Sequence, residues 1–257
     1  MTPVATAAGK SRSLPTHRDL PCEDKSVPQD FFEHAQARLL TAVIEVWLAQ
    51  QRPGFDCAIG QDSYIYWDIT TPPALGAKAP DWYLVPGVPR SLPGGEYRRS
   101  YVLWIERVIP AFAAEFISET SSGERDTTPR TGKFWVYEQG IGIPHYAIWD
   151  PWRNQLEAYR LDNGHYQPAR PNERGHYPVE ALGLEYGLWH GTWDNTQRLW
   201  LRWWDAGGRL LPTPQEQTEQ EHRAAVMARQ QAEQAQREKQ ELLDKLRKMG
   251  IDPDQLT

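Results

Sequence analysis

The sequence has 257 residues, with 34 acidic and 28 basic side chains and a formal net charge of −6. A protein that coats DNA is usually basic, so this balance argues against a constitutive DNA-coating function. The two cysteines, Cys22 and Cys57, are far apart and fit no zinc-site spacing, and no apolar run reaches the 18 residues of a membrane helix. We therefore expect a soluble cytoplasmic protein with free thiols and no membrane partner.

The first part of the chain is predicted to contain a leader, one helix and two strands. Residues 1–28 are rich in Thr, Ser, Ala and Pro, which predicts a disordered leader. Apolar side chains recur at close to every 3.6 residues from Phe31 to Gln50, so we expect an amphipathic helix with Glu33 in its first turn. Cys57–Trp67 and Asp81–Val85 are predicted to be strands.

The central stretch carries a carboxylate inside an apolar run. Ser100–Glu106 is predicted to be a strand that leads into a second one, Ile109–Ile117, which contains Glu115. A charged side chain in a buried strand is costly to desolvate unless it has a partner or binds a cation. Glu115 is therefore either a satisfied structural glutamate or part of a site, and Asp81 supplies a second carboxylate at a strand start.

A helix is predicted immediately after this strand. Thr127 and Thr128 precede a proline, which suits a helix start, and the helix should continue to about Gln139. Lys133 and Tyr137 are four residues apart and so share one face of that helix. If the strand and the helix pack together, this face brings the lysine towards Glu115.

The following region is predicted to be mainly β. Tyr146–Trp149 is a predicted strand, and Leu156–Leu161 with His165–Pro168 forms a predicted hairpin around the Asp-Asn-Gly turn at residues 162–164. Leu199–Trp204 is another predicted strand. Its tryptophans could stack on nucleic-acid bases, but in an α/β domain we expect most of them to be core residues.

The composition changes sharply after residue 214. Residues 215–250 contain no glycine or proline before Gly250, and they are predicted to form one charged helix, followed by a short tail at 251–257. Weakly apolar positions recur alternately three and four residues apart, which is the heptad pattern of a coiled coil. These positions are Ala225, Ala228, Ala232, Ala235, Lys239, Leu242, Leu246 and Met249. We expect a homo-oligomer formed through this helix; the alternative is a lone charged helix.

Several motifs, in this order, resemble the Uma-type putative restriction endonuclease family of the PD-(D/E)XK nuclease superfamily. They are Pro80-Asp81, Ala114–Ser118, Lys133, Tyr137 and His145–Pro151. The resemblance covers roughly residues 31–214. It implies an α/β, restriction-endonuclease-like domain at 29–214, with a mixed sheet flanked by helices, and metal-dependent cleavage of nucleic acid, with DNA as the expected substrate.

The resemblance also implies roles for individual residues. Asp81 and Glu115 would hold Mg²⁺ (or Mn²⁺) and act in catalysis, and Glu33 on the first helix is a candidate for a further metal-facing acid. In the superfamily pattern a lysine stands two residues after the acid, but here Ile117 occupies that position. The resemblance includes members in which the lysine has moved to the following helix, where Lys133 stands.

Two other function classes remain open from the sequence alone. One is a nuclease-fold binding module without catalysis, which Ile117 and the acidic composition leave open. Another is a coiled-coil scaffold whose globular part recognises a partner protein. Five arginines near the predicted site could bind phosphates, but they are more simply read as solvated surface. They are Arg98, Arg99, Arg107, Arg125 and Arg130.

Overall fold

The computed structural model describes residues 14–22, 31–51, 54–118 and 123–249. The chain divides into two units, Met1–Leu211 and Pro212–Thr257. Much of the predicted leader and the whole of the tail at 251–257 lie outside the described residues. Residues 14–22 of that leader are described, and one of them is anchored: Leu20 is buried with Tyr66, whose hydroxyl donates a hydrogen bond to the carbonyl of Pro21 (2.7 Å).

The first unit is a mixed α/β structure. In chain order its main elements are α1 (Phe31–Gln51), β1 (Cys57–Gly60), β2 (Ile65–Tyr66), β3 (Ala77–Lys78), β4 (Trp82–Pro86), β5 (Tyr101–Val102), α2 (Leu103–Glu106), β6 (Phe112–Phe116), α3 (Lys133–Trp135), a π-helix (Val136–Ile141), β7 (His145–Asp150), β8 (Gln155–Asp162), β9 (His165–Pro168), β10 (Tyr177–Val179), β11 (Leu184–Trp193) and β12 (Thr196–Asp205). Short 3₁₀ turns lie at Pro73–Gly76 and Gly123–Arg125.

A six-stranded sheet organises this unit, with the strand order β1-β4-β6-β7-β8-β9. The central pair β6 and β7 is parallel, and the other neighbouring pairs are antiparallel. Strands β4, β6 and β7 have nearly every side chain buried, as expected of central strands covered on both faces. Two smaller sheets, β10-β11-β12 and β3-β2-β5, complete the unit.

The two faces of the large sheet pack against different partners. Alternate side chains such as Trp82 and Phe112 join the core formed with α1 and the β11–β12 hairpin. The Trp82 indole donates a hydrogen bond to the Thr41 hydroxyl on α1 (2.9 Å), and the buried Gln36 exchanges two hydrogen bonds with the backbone of Leu201 on β12. The opposite face, which includes Tyr83, packs against the π-helix and β5.

Several predicted elements are confirmed. Helix α1, the hairpin of β8 and β9, and the strands at β4, β6, β7 and β12 form where the sequence indicated. The turn residues Asn163 and Gly164 both adopt positive φ, as the hairpin prediction required. Trp200 and Trp203 are core residues, with 2% and 0% of their surface exposed.

Other predictions are wrong in part. The strand predicted over Cys57–Trp67 is interrupted between β1 and β2, and Ser100–Glu106 forms only the two residues of β5 before turning into α2. The helix predicted from Thr127 begins at Lys133, because Arg130 adopts the left-handed conformation (φ 66°) and Gly132 N–H closes a turn onto the Thr128 carbonyl (2.8 Å).

The second unit contains helix α4 (Pro214–Lys248). Thr213 and Glu216 form a capping box, each side chain accepting a hydrogen bond from the other's backbone N–H. The predicted seam is not covered in this chain: Leu242 is 59% and Met249 is 65% exposed. Within the described parts of the chain, no helix combines the length and apolar character needed to cross a membrane.

Candidate active site

Strands β4 and β6 bring the two predicted acids side by side. Because Trp82 pairs with Ala114 in the antiparallel register, Asp81 at the start of β4 lies beside the end of β6. The Asp81 carboxylate accepts a hydrogen bond from the backbone N–H of Phe116. Glu115 is fully buried and, by strand alternation, projects from the face opposite α1.

Two side chains donate hydrogen bonds to the buried Glu115 carboxylate. The Lys133 ammonium nitrogen lies 2.7 Å from Oε2, and the Tyr137 hydroxyl lies 2.6 Å from Oε1. The predicted proximity of Lys133 to Glu115 is therefore confirmed. Ile117, at the superfamily's usual lysine position, is 4% exposed and packs in the apolar core of this face.

The short helix after β6 places these donors. Gly132 is the residue before α3, and a side chain there would meet the Asp126 carbonyl at 2.2 Å, so glycine permits this close approach. The segment then widens into the π-helix, in which the Gly142 N–H bonds back to the Tyr137 carbonyl (3.0 Å). Lys133 and Tyr137 consequently reach the same carboxylate across an α-to-π junction.

Two further carboxylates near the site were missed by sequence reasoning. Glu124 is 3% exposed and its Oε1 lies 3.8 Å from the Lys133 ammonium. Asp62, in the turn after β1, bonds through its N–H to the Pro80 carbonyl (3.1 Å), next to Asp81. Asp62 lies in a turn two residues after β1, and Glu124 lies in a short 3₁₀ turn, so no strand or helix periodicity marks either acid. We call Asp81, Glu115, Glu124, Lys133 and Tyr137 the acid–lysine cluster.

Burial and mutual repulsion perturb the titration of the cluster. Desolvation and the Glu115 charge raise the pKa of Asp81 well above its usual value, against the opposing effects of Lys133 and the Phe116 N–H. Although Asp62 as a whole is exposed, desolvation of its carboxyl and the Glu115 charge raise its pKa to about 6. Burial alone would lower the pKa of Lys133, but Glu115 and Asp81 outweigh it and the pKa is raised.

The metal-facing role of Glu33 stays a prediction. Glu33 lies in the first turn of α1, which packs on the face of the sheet opposite Glu115. The charges that act most strongly on Asp81 are those of Glu115, Lys133 and Asp62.

Most of the arginines near the site are held in ion pairs. Arg98 pairs with Glu106, Arg125 with Glu157, and Arg130 with Asp68. Exposed pairs of this kind contribute about 0–1 kcal/mol each. The Arg125 and Arg130 pairs thus agree with the prediction that these arginines belong to the solvated surface, whereas the Arg98 pair is largely buried.

The donor set of the cluster fits a hard divalent cation. Mg²⁺ is commonly bound by one or two carboxylates while it keeps several waters, so Asp81 and Glu115 would be enough as protein ligands. Desolvation and the Glu115 charge both raise the pKa of Asp81, and a bound cation would offset both effects. Within the described residues, no group of three or more His, Cys, Asp or Glu side chains is arranged to hold a metal, so a site here would be completed by water and substrate oxygens.

Comparisons with known proteins identify the family to which the chain belongs. A family model described as Uma2, putative restriction endonuclease, matches residues 25–196. No curated protein matches the sequence significantly. Among solved structures, the chain is similar to the crystal structure of a putative nuclease belonging to DUF820 from Anabaena variabilis ATCC 29413, with 15% identity and a TM-score of 0.42, over 65% of this chain and 90% of that chain. The family match spans α1, the six-stranded sheet and the whole acid–lysine cluster.

Proposed function

This chain belongs to the Uma2 family of putative restriction endonucleases, and on that premise we propose that it is a metal-dependent endonuclease that hydrolyses phosphodiester bonds in DNA. The observation that carries the proposal is the 2.7 Å hydrogen bond from the partly buried Lys133 to the buried Glu115, with Asp81 beside it. A buried acid, a partly buried acid on the neighbouring strand and a lysine on the following helix are costly to remove from water, so a functional role explains them better than stability does.

Each residue of the cluster has a distinct task in this proposal. Asp81 and Glu115 hold the Mg²⁺ or Mn²⁺ ion through carboxylate oxygens. When bound, such an ion polarises the scissile phosphate and lowers the pKa of an attacking water. Lys133 donates a hydrogen bond to the charge that develops on the phosphate or on the attacking oxygen. Tyr137 fixes the orientation of the Glu115 carboxylate, since its hydroxyl donates to Oε1.

Glu124 supports the lysine rather than the metal. Its carboxylate oxygen Oε1 is 3.8 Å from the Lys133 ammonium nitrogen. A second negative charge at this distance favours the protonated lysine, and the raised pKa of Lys133 agrees with that direction. The lysine thus stays cationic at neutral pH although it is largely removed from water.

One observation favours a second candidate, a nuclease-fold binding module without catalysis. Both Glu115 oxygens already accept hydrogen bonds from side chains of the same chain, so Lys133 supplies the positive charge that a metal would otherwise bring. If the protein is an enzyme, the Glu115 carboxylate must accept the hydrogen bond from Lys133 and also coordinate a metal ion. Calorimetry with Mg²⁺ or Mn²⁺ separates the two candidates, because the binding module has no need of the ion.

The experiment that tests the proposal is cleavage of supercoiled plasmid DNA by purified protein. We expect nicked and linear products with Mg²⁺ or Mn²⁺, none with EDTA, and none with Asp81→Asn or Glu115→Gln. Arg209→Met, which removes a surface cation paired with Asp205 away from the cluster, should cleave as the wild type does. Equal cleavage by Asp81→Asn and wild type would refute the site.

A further inference from the structure

A concavity with both polar and apolar lining residues lies in the first unit. It encloses about 200 Å³ and is bounded by β1, β4, β5 and the loop that follows β4. Three tyrosines, Tyr83, Tyr97 and Tyr101, contribute to its walls. We call it the tyrosine cavity.

The floor of the tyrosine cavity is rigid and buried. Tyr83 and Tyr101 are 3% and 2% exposed and meet edge to face, with ring centroids 6.2 Å apart. Each hydroxyl is anchored: Tyr83 shares a hydrogen bond with the Ser63 hydroxyl (3.0 Å), and Tyr101 donates to the Val108 carbonyl (2.7 Å). Gly60, opposite Tyr83 in the β1–β4 ladder, makes room for the ring, since a Cβ there would lie 2.1 Å from it.

The outer wall is a braced loop. Arg98 is engaged by Glu106 through two nitrogens (2.6 and 3.2 Å), and it also donates to the Pro89 carbonyl (2.5 Å) and the Arg90 carbonyl (3.2 Å). This fixes the backbone that carries Arg90 at the rim. The Tyr97 ring stands at the same rim and is 71% exposed.

The rim side chains are available to a ligand. Arg90 pairs with Glu45, but both side chains are exposed (56% and 44%), and such a pair is worth only about 0–1 kcal/mol. Arg90 can therefore change partners from a carboxylate to a phosphate at little cost. An exposed tyrosine ring is a stacking surface that accepts any nucleobase.

The polypeptide connects the cavity directly to the acid–lysine cluster. Tyr83 is two residues after Asp81 on the same face of β4, a step of about 7 Å along a strand. Ser63 follows Asp62, which bonds to the residue before Asp81. A group in the cavity would thus belong to a nucleotide next to the one whose phosphate meets the acids.

We propose that the tyrosine cavity is a subsite for one unstacked nucleobase adjacent to the scissile phosphate, with Arg90 on that nucleotide's phosphate and Tyr97 stacked on its base. This inference rests on the proposed nuclease function. A volume of about 200 Å³ lies below the ~300–1,000 Å³ of pockets for drug-sized ligands, which suits a single ring. A base must leave the helical stack to enter such a site, so the protein should favour single-stranded or locally opened DNA over duplex.

The test measures binding without cleavage. A fluorescein-labelled single-stranded 12-mer is titrated in EDTA and followed by anisotropy, with a duplex and an abasic strand of equal length for comparison. Tyr97→Ala should weaken single-strand binding by about 5- to 150-fold, the range for loss of one stacked base, whereas Tyr97→Phe, which keeps the ring, should bind within about twofold. Loss of the base should cost as much as loss of the ring: the affinity of wild type for the abasic strand should be no higher than the affinity of Tyr97→Ala for the normal strand.

Arg90 has a matched control on α1. Arg38 is also 56% exposed and also pairs with an exposed carboxylate, Asp194, but it does not line the cavity. Arg90→Ala should weaken single-strand binding. It should also make the slope of log K against log salt concentration shallower by about one, the amount for one lost phosphate contact. Arg38→Ala should change neither the affinity nor the slope. Because all these side chains are exposed, the variants should fold normally.

The outcomes separate the subsite from the proposed function. If wild type cleaves DNA and Tyr97→Ala binds and cleaves with unchanged affinity and KM, the subsite is refuted and the nuclease stands. If binding follows the expected pattern but wild type never cleaves with metal, the nuclease is refuted, and the tyrosine cavity stands as a base-binding site with no scissile phosphate beside it. Equal binding of normal and abasic strands by wild type, or no binding of either, also overturns the subsite.

Discussion

Replacing Lys133 with methionine removes the one cation of the acid–lysine cluster while keeping a similar apolar stem. At 2.7 Å and an effective dielectric constant near 20, the Coulomb attraction between Lys133 and Glu115 is about 6 kcal/mol before desolvation is subtracted. Removing one partner of a buried pair typically costs about 3–5 kcal/mol. Since the Lys133 side chain is 29% exposed, we expect the lower end, about 3 kcal/mol.

A loss of that size is measurable by differential scanning fluorimetry. For a domain of this length, about 3 kcal/mol corresponds to a fall in Tm of roughly 6–12 °C. Plasmid cleavage should fall by about two to three orders of magnitude, the scale for one preorganised electrostatic donor. Arg209→Met, which breaks an exposed pair with Asp205, should change Tm by little more than 2 °C.

Added metal should then distinguish Lys133→Met from a merely unfolded variant. Without the ammonium, Asp81 and Glu115 keep an uncompensated charge, so Mg²⁺ should raise the Tm of Lys133→Met more than that of wild type. The double variant Lys133→Met/Asp81→Asn should lose this extra gain. A Tm within 2 °C of wild type together with cleavage within tenfold would refute the reasoning, because the buried pair would then contribute neither stability nor catalysis.

Three other outcomes are expected. In EDTA, the stability that Asp81 contributes is fully present below the ordinary aspartate pKa and is lost as pH rises through its raised pKa in the folded state. Asp81→Asn should therefore remove the decline in the free energy of unfolding with rising pH, as measured by chemical denaturation. A variant whose pH profile equals that of wild type would contradict this expectation. Tyr137→Phe should lower kcat several-fold with little change in KM, because only the Glu115 orientation is lost; a change confined to KM would point to substrate contact instead. Deleting residues 216–257 should convert an oligomer to monomer in light scattering while the circular dichroism of the first unit persists, and an unchanged assembly size would remove the coiled-coil argument.

The acids and the lysine were predictable because local chemistry marks them. A glutamate inside an apolar strand and an aspartate at a strand start are conspicuous where burial penalises charge, and the resemblance to a nuclease family singled out Lys133. Their approach also depends on the β4–β6 register, which strand alternation constrains.

The rest of the site depends on long-range packing that no local pattern encodes. Glu124 and Asp62 reach the cluster from loops, and the helix start was misplaced because the Thr-Pro signal at residue 128 closed into a turn instead. The long β11–β12 hairpin also lacked a clear alternation: β12 buries five consecutive side chains, Trp200 to Trp204, and glycine and histidine interrupt the pattern on β11. The tyrosine cavity arises only when β1, β4 and β5 come together.

The π-helix Val136–Ile141 limits changes in the length of its segment more strictly than it limits changes in its side chains. The hydrogen bond from the Gly142 N–H to the Tyr137 carbonyl spans five residues, one more than in an α-helix. Each residue turns an α-helix by about 100°, so deleting one residue would let the segment close as an ordinary turn but rotate its two ends against each other. Because β7 is fixed in the sheet, Lys133 and Tyr137 would swing away from Glu115. Sequence divergence in this segment should therefore proceed by substitution, with gaps and insertions confined to the loop before it.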